Sequence, residues 1–174
     1  MRGDAWRVVS LHRVDAPALR HRYALHKARV AAENWGVADE RLLFHGTRAN
    51  PPGTIVDDQV GFDMRFSQEG LWGRGTYFAE DAAYSHHYAH RVGGGAREMI
   101  VARVALGRIH ESAPDQKLVR PPPGHHAIAG VGTTGEVSSR VFVLYETATV
   151  AYPEWVVRYA PIAGGPTAAT PAAG

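Results

Sequence analysis

The chain has no cysteine, which removes disulfides, thiolate nucleophiles and cysteine-ligated zinc from consideration together. It also lacks any long run of one charge. Lys and Arg number 19 against 17 Asp and Glu, for a formal net charge of +2, so charge alone does not argue for a nucleic-acid partner. No stretch approaches the ~20 apolar residues of a membrane span, and Met1-Arg2-Gly3-Asp4-Ala5-Trp6 lacks the apolar run of a signal peptide. The expectation is a soluble, cytoplasmic, monomeric protein with no membrane partner. What is present suits one packed core: 174 residues, 45% of them hydrophobic and 21% charged. Residues 1–162 are read as one catalytic-sized domain, and residues 163–174, made only of Ala, Gly, Pro and Thr, as a disordered tail.

Residues 6–14 read as a strand carrying Val8, Val9 and Leu11. Asp15 then reads as an N-cap ahead of Pro17, and Leu19, Tyr23, Leu25, Val30 and Trp35 keep approximate helical spacing up to Gly36. Residues 41–44 form a short apolar strand that delivers His45-Gly46-Thr47 at its end, and Pro51-Pro52 opens a turn or helix. Between Gly70 and Ala79 glycine alternates with aromatics, which implies backbone that approaches something closely. Residues 81–90 read as a helix capped by Asp81, and residues 99–106, 141–145 and 155–159 as strands rich in β-branched and aromatic side chains. Residues 107–140, with Pro121-Pro122-Pro123-Gly124, read mostly as loop, of a length more often functional than idle.

His45-Gly46-Thr47 alone would be an ordinary hydrogen-bonded histidine at a strand end. It is followed, in order, by Gly70-x-Trp72-Gly73-x-Gly75-x-Tyr77-Phe78-Ala79 and by Tyr84-Ser85-x-x-Tyr88, where Ser85 and Tyr88 stand three apart on one helix face. Core packing does not readily explain three separated motifs in that order. With Glu40-Arg41-Leu42-Leu43-Phe44 ahead of the first motif and Ala151-Tyr152-Pro153-Glu154-Trp155-Val156 near the end, the text resembles the catalytic domain of the poly(ADP-ribose) polymerase family, the diphtheria-toxin-like ADP-ribosyltransferases, and in particular its mono-ADP-ribosylating branch. The resemblance runs from Trp6 to Ala160.

It implies an α+β fold of two small, mostly antiparallel sheets flanked by helices, with an NAD cleft between them. It also implies transfer of ADP-ribose from NAD, one unit at a time, to a protein acceptor, the chain itself included, with nucleic-acid ends as a further acceptor class. By the same resemblance His45 hydrogen-bonds the adenosine ribose of NAD, and the backbone of Gly46 pairs with the nicotinamide carboxamide, its missing Cβ letting the ligand come close. Ser85 donates to that carboxamide, Tyr88 stacks on nicotinamide, and Tyr77 closes the pocket from the other side and holds the ribose. Thr47, Phe78 and Ala79 complete the donor site, and residues 107–126 match the variable loop that lines it. NAD is the donor substrate and no metal is implied: His86-His87 and His125-His126 are adjacent pairs, whereas two ligands on one helix face stand three or four apart. The departure lies in the late strand. Chain-elongating members carry a glutamate that bonds the nicotinamide-ribose hydroxyl and helps activate the acceptor, and alignment puts Val141 there, giving a triad of His45, Tyr77 and Val141. Valine neither bonds a hydroxyl nor accepts a proton, so chain extension is expected to be lost. Glu136 and Glu146 are the two carboxylates that could stand in. A catalytically inert NAD- or ADP-ribose-binding module and an NAD glycohydrolase are the readings that the sequence leaves beside a transferase.

Overall fold

A computed structural model describes residues 5–146 and 149–162; the expected tail, 163–174, lies outside the described residues. The chain order is β1 (Trp6–Arg13), α1 (Pro17–Glu33), β2 (Glu40–His45), α2 (Pro52–Ile55), β3 (Glu69–Gly70), β4 (Gly73–Arg74), β5 (Thr76–Ala79), α3 (Ala82–His86), β6 (His90–Arg91), β7 (Arg97–Ala105), β8 (Ile109–Glu111), β9 (Ala127–Thr134), β10 (Val137–Leu144) and β11 (Ala151–Pro161).

The fold is α+β, and its strand pairs are antiparallel apart from β8 with β9. Nine strands run in the order β1-β11-β7-β2-β5-β10-β9-β8, with β6 on β7, and β3-β4 stand apart as a hairpin. The two sheets expected from the sequence are thus two halves of one path. They meet at a single residue pair, Phe44 with Ala79, between β2 and β5. On its other side β2 pairs with β7 over its whole length, from Glu40–Ala105 to His45–Ile100.

Alternation along the central strands builds two cores. On β10, Phe142 and Leu144 join Leu43, Phe78, Ile100 and Val104 in the main core, while Val141 and Val143 turn to the other face with Trp72, Ala79, Tyr84 and Ile128. α1 buries Leu19, Tyr23, His26 and Val30 along one stripe and packs with Ala105 and Tyr152 in a third cluster. Leu19 N–H donates to Asp58 (2.9 Å), Tyr23 donates to Glu40 (2.8 Å) and Arg20 donates to the Tyr152 hydroxyl (3.0 Å), which itself donates to the Val14 carbonyl just ahead of the helix (2.8 Å).

Several expectations are corrected. The N-cap of α1 is Ala16 and makes no side-chain bond, while Asp15 is exposed and reaches Arg20 instead. The helix ends at Glu33 rather than Trp35, because Trp35 and Gly36 both take positive φ (51° and 86°) and the Gly36 N–H returns to the Ala31 carbonyl at 2.7 Å. α3 stops at His86 instead of His90, since the chain leaves the helix to pair His90–Arg91 with β7; Asp81 sits at its N-cap without a side-chain bond. Residues 107–140 are loop over more than half their length, but β8, β9 and the start of β10 also lie there. Glycine hides β9 from a propensity reading. A Cβ on Gly130 would collide with the Trp72 ring, so the strand carries glycine where an indole lies across it.

Gly130→Ala is therefore expected to lower the unfolding free energy by about 1–3 kcal/mol. Gly53→Ala, in α2 with nothing within 4 Å of the added carbon, is expected to be neutral or stabilising by up to about 1 kcal/mol. Urea denaturation of both variants checks this, and equal stabilities would contradict the packing described.

Candidate active site

The single β2–β5 pair means that the strands part directly after Phe44, and a cavity of about 330 Å³ lies at the parting, a volume at the lower end for small-molecule sites. Its lining brings together every residue singled out from the sequence: His45, Gly46, Thr47, Tyr77, Phe78, Ala79, Ser85, Tyr88 and Val141. They come from the end of β2 and the loop after it, from β5, from α3 and the turn after it, and from β10.

Where the backbone ladder stops, a side chain bridges the two strands. Nδ1–H of His45 donates to the Tyr77 carbonyl at 2.7 Å, a bond that fixes the tautomer and leaves Nε2 as an acceptor. The ring is wedged against Phe62 and Phe78, with centroids at 5.2 and 5.4 Å. Burial pushes its pKa below the ordinary imidazole value, and the bond to Tyr77 only partly offsets this. His45 is therefore neutral at neutral pH.

Gly46 follows at the strand end. A Cβ there would lie 2.5 Å from the backbone carbon of Tyr88, so it is the chain's own backbone, rather than a ligand, that demands glycine. The same contact explains the early end of α3. Arg48 N–H donates to the Tyr88 carbonyl (2.8 Å), and His90 Nδ1–H donates to the Arg48 carbonyl (2.9 Å), stitching the 46–48 loop to the turn after the helix. Among the described residues neither the N–H nor the C=O of Gly46 has a partner. An unspent donor and acceptor side by side suit a primary carboxamide. Thr47 is buried too, and its Oγ1 meets no partner, a state that costs about 1–3 kcal/mol until a ligand satisfies it.

The Tyr77 hydroxyl donates to the Gly73 carbonyl (2.6 Å) and accepts from Trp72 N–H (3.0 Å). Gly70 belongs to this wrap, since a Cβ on it would lie 2.6 Å from the Tyr77 ring, whereas Gly73 makes room for the Leu118 carbonyl and Gly75 for the Val143 side chain. Tyr77 is a rigid wall, and its hydroxyl is spent on its own chain rather than held free for a ribose. Ser85 donates to the Phe44 carbonyl at 3.2 Å, and the Arg48 guanidinium lies 4.5 Å from the centre of the Tyr88 ring.

Val141 is 1% exposed and aliphatic. Neither carboxylate considered as its replacement lines the cavity: Glu146 pairs with Arg29 at 2.6 Å against α1, and Glu136 is exposed in the β9–β10 turn. The described lining holds two acids, Asp63, which pairs with Arg65 at 2.9 Å, and the exposed Glu69. Residues 62–63 and 66–69 line the cavity, whereas the loop expected to do so, 107–126, reaches it only through Gln116. Sequence reading also passed over Arg48, Asn50 and Tyr84. Tyr84 stood inside the quoted motif, and its spacing of one turn from Tyr88 was the available signal.

A family model described as the poly(ADP-ribose) polymerase catalytic domain matches residues 3–159. The chain belongs to that family. It is 32% identical over 162 residues to a probable poly(ADP-ribose) polymerase of Dictyostelium discoideum, covering 90% of this chain and 45% of that protein. It is 35% identical over 158 residues to the human protein mono-ADP-ribosyltransferase PARP12, covering 87% of this chain and 22% of that one, and 34% identical over 94 residues to a poly(ADP-ribose) polymerase 1 of Xenopus laevis. The chain thus spans less than half the length of the first two. Poly(ADP-ribose) polymerase catalytic domains are ADP-ribosyltransferases that use NAD as substrate, and no helix of the described residues is long and apolar enough to cross a membrane.

The imidazole of His45 is expected to titrate below the ~6.5 of an unperturbed histidine. Because folding depresses this pKa, its contribution to stability is present above ~6.5 and is lost as pH falls below that value. Ring-proton NMR across the acid range checks it, and a midpoint at or above the unperturbed value would contradict the burial described.

Proposed function

We propose that the domain is an NAD-dependent ADP-ribosyltransferase that moves single ADP-ribose units onto protein, its own chain included, with nucleic-acid ends as a second acceptor class. One observation carries the reading: a neutral His45 acceptor, the unspent backbone donor and acceptor of Gly46, and the rings of Tyr77 and Tyr88 line one cavity with no carboxylate at Val141.

NAD brings its own leaving group, nicotinamide, whose departure from C1′ lets ADP-ribose pass to the acceptor. The chain's task is to hold and orient. Gly46 N–H and C=O engage the carboxamide, and Ser85 joins them once its hydroxyl turns from Phe44. Tyr88 stacks on the pyridinium, whose positive charge favours an aromatic face. Nε2 of His45 accepts from the adenosine ribose, and Tyr77, locked by its own turn, forms the opposite wall. Single-unit transfer follows from Val141: extending a chain requires a proton to be drawn from a ribose hydroxyl, and an aliphatic side chain cannot do so.

Incubation with NAD labelled in its adenylate half, resolved by gel and by chromatography, tests this. Singly labelled protein with released nicotinamide is expected. Ladders would refute single-unit transfer, free ADP-ribose without labelled protein would make the chain a glycohydrolase, and binding without nicotinamide release would make it an inert module. His45→Ala is expected to cut nicotinamide release at least about tenfold, and unchanged release would remove His45 from the site.

A further inference from the structure

The polar groups of the cavity are not equally available. The Tyr77 hydroxyl is committed at both ends, the Ser85 proton goes to Phe44, and Val141 offers methyls alone. Tyr84 differs. It is 8% exposed and lines the cavity. The Tyr88 hydroxyl donates to its oxygen at 3.5 Å, and its own proton has no acceptor among the described residues. This oxygen and the Val141 side chain crowd one point above the strand: a Cβ on Gly132 would lie 2.5 Å from Tyr84 Oη and 2.9 Å from Val141 Cγ2. A buried phenol with an unspent proton therefore stands beside the valine, at the hydroxyl end of Tyr88.

We propose that the Tyr84 hydroxyl binds a hydroxyl of the nicotinamide ribose of the donor, supplying next to Val141 the polar contact that the valine cannot make. This rests on the reading of the cavity as an NAD site. A pyridinium stacked on Tyr88 carries its sugar from the ring edge, and Tyr84 Oη is the neighbouring polar atom. A buried donor with no acceptor among the described residues is one that a ligand oxygen can satisfy. Burial pushes the Tyr84 phenol above its ordinary range, so the group holds a hydroxyl as a neutral donor and does not deprotonate it. The ribose is thereby oriented while chain extension stays blocked.

Tyr84→Phe removes the oxygen and keeps the ring. Calorimetric binding of NAD, of two NAD analogues lacking the 2′- or the 3′-hydroxyl of the nicotinamide ribose, and of nicotinamide alone compares the variant with the wild-type chain. The expectation is about tenfold weaker NAD binding by the variant, equal binding of one deoxy analogue by both proteins, and equal binding of nicotinamide. Unchanged NAD affinity overturns the proposal alone, and so does an equal loss for NAD and both analogues, which would mean a packing role. If the variant fails to fold, the wild type decides: about tenfold preference for NAD over one deoxy analogue supports the contact, and no preference overturns it. Absence of NAD binding by the wild type would instead sink the donor reading itself.

Discussion

The architecture turns on the hydrogen bond from His45 to the Tyr77 carbonyl. It occurs where the sheet stops being a sheet: one residue pair joins β2 to β5, and one residue later the imidazole takes the place of the next backbone bond. A side chain that closes the ladder holds the strands together while leaving the space between them open. It also fixes the imidazole in one tautomer, and burial keeps it uncharged. The opening and its acceptor are thus one device.

The remaining walls are held by the chain's own polar groups. Tyr77 is clamped by the Trp72–Gly73 turn, and Tyr88 is set by the backbone contact with Gly46 and the bonds that Arg48 makes around it. Rings fixed in this way lose little conformational freedom when a flat ligand enters. What stays unspent is small and specific: the Gly46 backbone pair, the Thr47 hydroxyl, His45 Nε2 and the Tyr84 proton. Such a set offers donors and acceptors of the kind that an amide and sugar hydroxyls take up, and the aliphatic Val141 gives this lining no base beside them.

The motifs were legible in the sequence because they are local. His45-Gly46-Thr47 sits at a strand end, Ser85 and Tyr88 stand three residues apart, and the glycine-aromatic run announces close backbone contact. What stayed hidden depends on distant partners. Gly130 reads as loop until Trp72 is seen across it, and α3 reads as longer until Arg48 and β7 draw its end away. Gly46 reads as space for a ligand, yet the Tyr88 backbone fills that space. Residues 62–69 carry no pattern that separates them from any other connection, and the proline loop is the more conspicuous candidate for the cavity wall. Two sheets were expected and two halves are found, because a single pair, Phe44 with Ala79, is beyond what periodicity resolves.

A crystal structure of the chain with NAD tests the central claim most directly. The account predicts the nicotinamide ring against Tyr88 with its amide on the Gly46 backbone, and the adenosine ribose at Nε2 of His45, inside the opening between β2 and β5. A dinucleotide bound elsewhere, or bound there with its adenine on Tyr88, would contradict it.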